Sequence, residues 1–105
     1  MTPEGKTKKL ISNWLKKHSI PYWMIIPSQF GRTTGVSDYV CIIPNNCLVS
    51  RGSWLAIEAK ANGKKDTTTK NQRDFLETIK SSGGVSIVVS CQEDLDELES
   101  ILYGK

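Results

Sequence analysis

Two short apolar runs in this chain are each interrupted by charge. Residues 36–43 are apolar apart from Ser37 and Asp38 at their start, and residues 54–61 are apolar apart from Glu58 and Lys60. Runs of this length and composition predict core strands. Side chains alternate along a strand, so Glu58 and Lys60 point to one face and Ala59 to the other. If the connection over residues 44–52 closes a hairpin, Asp38 comes beside Glu58. Leu55, Ile57 and Ala59 form one apolar face while Trp54 and Ala56 continue the other, so the second strand is expected to be covered on both sides.

The flanking pattern predicts a small α/β domain. Thr2 can cap a first helix with Pro3 at its first position, and Leu10, Ile11, Trp14 and Leu15 supply an apolar face. Residues 22–26 read as a strand closed by Pro27. A polar loop over residues 29–34 carries Gly31 and Arg32. After the Lys60 strand comes a basic loop, residues 61–69, and then a helix over 70–81 with Phe75, Leu76 and Ile79 as its stripe and Gly83-Gly84 as its stop. Residues 85–89 predict a further strand, parallel to a neighbour because a helix precedes it. Ser90 or Cys91 opens a last helix with Leu95, Leu98 and Leu102 inward, and Ser90-x-x-Glu93 has capping-box spacing. The order is αβββαβα: a mixed sheet flanked by helices, read as one domain over residues 1–105.

Composition narrows the setting. A chain of 105 residues has room for one modest core, and no stretch approaches the roughly 20 apolar residues of a membrane span. The amino terminus is polar and lysine-rich, without the apolar segment of a signal peptide. Cys41, Cys47 and Cys91 match neither a disulfide framework nor a zinc site, which points to a reducing, cytoplasmic setting. The last fifteen residues hold Glu93, Asp94, Asp96, Glu97 and Glu99 against Lys105, leaving residues 1–90 at net +7. The basic body suits a phosphate backbone; the acids are expected to form a solvated face.

The interrupted strands carry the chemistry. Two carboxylates a few ångströms apart repel unless a cation neutralises them, and hard oxygen donors select Mg²⁺ or Mn²⁺. A lysine on the same face can orient water or stabilise charge developing on a phosphate. Metal-assisted phosphodiester hydrolysis is the reaction these groups imply. Glu4, seven residues before Ile11, falls near the core-facing stripe of the first helix, although an acid there also favours the helix dipole. Gln72 fits a Thr69-x-x-Gln72 capping box. Arg32, Lys64, Lys65, Lys70 and Arg73 are available for phosphate contacts, or for solvent. His18 closes the first helix, and Trp14, Trp23 and Trp54 lie in apolar patterns that predict core packing.

Asp38 followed by Glu58-x-Lys60 resembles the PD-(D/E)XK nuclease core. The fuller string resembles the stand-alone VRR-NUC proteins found mainly in bacteriophages: Thr2-Pro3-Glu4-Gly5-Lys6, Phe30-Gly31-Arg32 before Gly35-Val36-Ser37-Asp38, Leu55-Ala56-Ile57-Glu58-Ala59-Lys60, and Gln72-Arg73-Asp74-Phe75-Leu76 before Gly83-Gly84. These recur in order over residues 2–84. The resemblance implies a restriction-endonuclease-like fold and a Mg²⁺-dependent endonuclease, with Mn²⁺ able to substitute. It further implies metal ligation by Asp38, Glu58, the Ala59 carbonyl and Glu4, and a role for Lys60 and Gln72 in positioning the attacking water. It also implies a homodimer acting on branched DNA in the manner of a Holliday-junction resolvase. The family usually has proline where this chain has Ser37.

Three other readings stay open. A flap or duplex endonuclease needs the same metal centre without junction preference. A DNA-binding subunit could keep the fold without cutting. An enzyme of nucleotide or small-molecule metabolism would need a closed pocket, and the sequence has no Gly-rich phosphate loop or dinucleotide fingerprint, so no nucleotide cofactor is expected.

Overall fold

The computed structural model describes residues 1–25 and 35–105. Its elements run α1 (Pro3–Lys17), β1 (Tyr22–Met24), β2 (Tyr39–Ile42), β3 (Trp54–Ala59), α2 (Lys70–Ser81), β4 (Val85–Val89) and α3 (Gln92–Tyr103), with one 3₁₀ turn at Lys65–Thr67. Each helix lies where the sequence places it. Thr2 caps α1 by accepting from the Gly5 N–H, and Pro3 occupies the first turn, where a missing N–H costs nothing. The strands are shorter than the apolar runs, so Asp38 lies one residue before β2 and Lys60 one residue after β3.

The sheet is open and mixed, in the order β1-β2-β3-β4. β1 pairs antiparallel with β2 and β2 with β3, whereas β4 runs parallel to β3. The helix α2 supplies the crossover that a parallel pair requires. One sheet face carries Tyr39, Cys41, Leu55, Ile57, Ala59 and Val89 and packs against Ile11, Trp14 and Leu15 of α1 and Leu95, Leu98 and Leu102 of α3. On the opposite face α2 covers the β3–β4 half, where the Ser86 hydroxyl donates to the Leu76 carbonyl. Gly84 allows this close layering, since a Cβ there would lie 2.9 Å from the Ile79 side chain of α2 and 2.5 Å from the Trp54 carbonyl oxygen of β3.

Several expectations are corrected by packing. Trp14 is buried, but Trp23 and Trp54 are exposed, because α2 does not extend over the β1–β2 half of the sheet. The cover over β3 is therefore incomplete at Trp54. Leu10 also faces outward. The N-cap of α3 is Cys91, without a side-chain cap, in place of a Ser90–Glu93 box. Asp94 instead reaches back to accept from the Ser90 N–H and hydroxyl, and it is buried, not part of a solvated acidic face. His18 is the C-cap of α1 and lies 3.2 Å from Glu99, tying α1 to α3. None of the three cysteines is in a disulfide. No described helix is long and apolar enough to cross a membrane.

Candidate metal and phosphate site

The β2–β3 register pairs Tyr39 with Ile57, so one residue further along Asp38 stands opposite Glu58. Because Tyr39, Ile57 and Ala59 point into the α1–α3 core, alternation turns Asp38, Glu58 and Lys60 toward the face that carries α2. Asp38 is held from two sides. Its main-chain carbonyl accepts from the Ile25 N–H at 2.8 Å, and its Oδ2 accepts from the Ala59 N–H at 2.8 Å. A strand residue directs its N–H and C=O to the same side, so the Ala59 carbonyl also faces the Asp38 edge.

Glu58 is only 4% exposed at its side chain. Its Oε2 accepts from Gln72 Nε2 at 3.2 Å and lies 3.8 Å from Lys60 Nζ, while its Oε1 is buried without a hydrogen-bond partner. Burial first, then the nearby Asp38 carboxylate, push the Glu58 pKa up to about 8; Lys60 opposes this and Glu4 adds to it. A buried carboxylate oxygen with a free lone pair, facing a second carboxylate, suits a hard cation. Mg²⁺ is commonly held by one or two carboxylates completed by water and substrate phosphate. The donors present fit that pattern, and among the described residues no group of three His, Cys, Asp or Glu residues could by itself hold a metal ion.

Gln72 is the helix cap that the sequence predicts, and it also contacts the candidate centre. Its Oε1 accepts from the Thr69 N–H at 2.9 Å, closing a capping box with the Thr69 hydroxyl, and from Lys60 Nζ at 3.0 Å. Its Nε2 reaches Glu58. One amide thus joins the start of α2 to the carboxylate and the lysine. Gln72→Ala removes three hydrogen bonds and is expected to cost about 1–3 kcal/mol of stability, and to slow any reaction at the centre by about 10- to 100-fold, the usual effect of losing an orienting partner. Urea denaturation and single-turnover rates on the same variant separate the two.

Sequence reasoning missed Lys8. Its Nζ lies 3.7 Å from Asp38 Oδ1 and 3.8 Å from Glu4 Oε2, so Glu4 meets the centre through a lysine one helical turn away. The spacing was readable, since residues four apart share a helix face. Asp94 was missed as well. It accepts from Lys65 Nζ at 2.6 Å and from Ser90, which ties the loop after Lys60 to α3. Lys65, expected on phosphate, is thereby engaged within the protein, and its partner raises its pKa.

The remaining basic residues differ in their surroundings. Lys64 is exposed. Lys70 is largely exposed and lies 2.8 Å from Asp74, and the Arg73 guanidinium donates to the Thr68 carbonyl. Arg32 lies outside the described residues. Ser37, at the position where the resembled family has proline, is buried and donates its hydroxyl to the Tyr39 carbonyl at 2.8 Å, a bond proline cannot make. Comparison with models of known families, with characterised proteins and with solved structures returns no match to this chain.

Proposed function

We propose that the chain is a metal-dependent endodeoxyribonuclease of the PD-(D/E)XK type, close to the VRR-NUC group, acting as a homodimer on branched DNA such as a four-way junction. The observation that carries this reading is the buried, unpartnered Glu58 Oε1 beside Asp38, with Lys60 and Gln72 on the same face. The αβββαβα order and the mixed sheet support a restriction-endonuclease-like fold.

Asp38, Glu58 and the Ala59 carbonyl would hold Mg²⁺ or Mn²⁺, supported by Glu4. When bound, such an ion polarises a phosphoryl oxygen and lowers the pKa of a water ligand. Lys60, steadied by Gln72, places a positive charge where negative charge develops on the phosphate. The Gln72 amide can orient the attacking water, and Lys8 balances the charge of Asp38 and Glu4. Lys64, Lys70 and Arg73 would meet the DNA backbone beyond the reacting group, with Arg32 on the loop before Asp38. A cavity of about 470 Å³ between the starts of α1 and α3 includes none of the carboxylate centre's residues, which gives no support to a small-molecule enzyme built on this centre.

Labelled four-way junction, flap and linear duplex, each incubated with Mg²⁺, Mn²⁺ or EDTA, test this reading. Wild-type protein is expected to nick the junction symmetrically. EDTA should abolish cutting, and Glu58→Ala should reduce it by about 10³-fold, at the upper end of losses for a group acting directly on the transition state. Cutting of flap or duplex alone would discard the junction preference. Binding without cutting under every metal would make the chain a non-catalytic DNA-binding subunit, and full activity in Glu58→Ala would place the centre elsewhere.

A further inference from the structure

The sheet face that carries Asp38 and Glu58 continues into an apolar surface. Trp23 pairs with Val40 in register and Val40 with Ala56, so all three turn away from the α1–α3 core. Ile25, whose N–H donates to the Asp38 carbonyl, neighbours Asp38 on the same side. Trp23, Ile25, Val40 and Trp54 together line a shallow cavity of about 300 Å³, with Trp23 56% and Trp54 49% exposed.

Position and size decide what this surface fits. The Trp23–Val40–Ala56 row is two residues, roughly 7 Å, from the row of Ile25, Asp38 and Glu58. Trp54 lies four residues, roughly 13 Å, from Glu58 on the same strand. The adjoining units of a polymer whose phosphate reaches the carboxylates are thus within reach of these rings. Two half-exposed tryptophans offer roughly 100 Å² each, and with Ile25 and Val40 the patch falls well short of the about 800 Å² per partner that a stable dimer buries. Flat indole faces of this size match a nucleobase. The net +7 of residues 1–90 suits the polyanion that would carry it.

We infer that the exposed face of β1 and β2, with Trp54 at the start of β3, is a stacking platform for unpaired bases of a DNA strand, with Trp23 receiving the base nearer the reacting phosphate and Trp54 one further along. The inference rests on the nuclease reading and deepens it, because a duplex keeps its bases stacked on each other whereas a branch point or flap can present free ones. Stacking on aromatic rings is indifferent to sequence, so the preference it creates is for structure.

The test uses the whole chain in EDTA, so that nothing is cut. Binding of an oligothymidylate of about 12 nucleotides is compared with binding of an abasic strand of equal length, followed by tryptophan fluorescence and by anisotropy of a labelled strand. The oligothymidylate is expected to quench fluorescence and to bind more tightly than the abasic strand. Trp23→Ala and Trp54→Ala should each weaken its binding by about 5- to 150-fold, while Trp→Phe at either position retains most of the affinity. Equal binding of both strands, or unchanged affinity in folded alanine variants of a wild type that still cuts DNA, overturns the platform and leaves the nuclease standing. Sedimentation showing a wild-type dimer dissociated by either alanine, with oligonucleotide affinity intact, assigns the face to a second copy and overturns it too. A wild type that neither binds nor cuts any DNA overturns both readings.

Discussion

Glu58→Gln is expected to make the metal-free protein more stable at pH 9 than wild type while abolishing metal-dependent cleavage. The folded-state pKa of Glu58 is raised to about 8 from a usual 4.5, chiefly by burial and secondly by Asp38. A raised carboxyl pKa means that the folded state holds the proton more tightly than the unfolded chain does. Its stabilising contribution is complete below about pH 4.5 and is lost as pH rises through about 8, where the folded protein must ionise a buried carboxyl beside another. At about 1.4 kcal/mol per pKa unit the loss is on the order of a few kcal/mol. The glutamine amide carries no charge, so urea midpoints measured from pH 5 to pH 9 should fall steeply for wild type and stay nearly flat for the variant. Millimolar Mg²⁺ should restore wild-type stability at high pH and leave the variant unmoved. Parallel pH curves for the two proteins would mean that Glu58 is not the buried acid on which the site depends.

Gly35→Ala is expected to cost about 2–4 kcal/mol and to depress cleavage beyond what unfolding explains. Gly35 has φ +83°, a conformation that L side chains rarely adopt, and a Cβ there would lie 2.6 Å from the main-chain carbon and oxygen of Asn71. The contact clamps the segment leading to Asp38 against the first turn of α2, next to Gln72. Forcing the two apart separates groups that the proposed reaction brings together, and a displacement of about 1 Å in a reacting geometry can cost about 10²-fold. Denaturation midpoints and single-turnover rates, taken where the variant is fully folded, separate the two losses. An alanine variant with wild-type stability would show that this clamp is not tight.

Local signals explain which parts of the chain were readable in advance. The capping box at Thr69 and the stop at Gly83 placed α2 at Lys70–Ser81, and the apolar run placed β4 at Val85–Val89. Strand periodicity put Glu58 and Lys60 on one face, and hairpin pairing put Asp38 opposite Glu58. These conclusions need only neighbours in sequence and the two-residue repeat of a strand. The paired carboxylates were legible for the same reason, being charges where burial predicts none.

Relations across the fold were not legible, because they depend on which surfaces meet. Trp23 and Trp54 lie in apolar runs, as Trp14 does, and only the reach of α2 across half of the sheet leaves them exposed. Gln72 reads as a cap or as a site residue; the layering of α2 over β3 lets one amide cap the helix and contact both Glu58 and Lys60. Asp94 reads as one of five surface acids until α3 packs beside the loop holding Lys65. Lys8 becomes part of the centre only because α1 crosses near the end of β2 that carries Asp38. The elements, their order and the carboxylate pair were thus written in the chain itself, since each follows from periodicity and local hydrogen bonding. Which side chains are covered, which ions pair and which oxygen is left without a partner emerged only on packing, since these depend on distances between segments that no local pattern encodes.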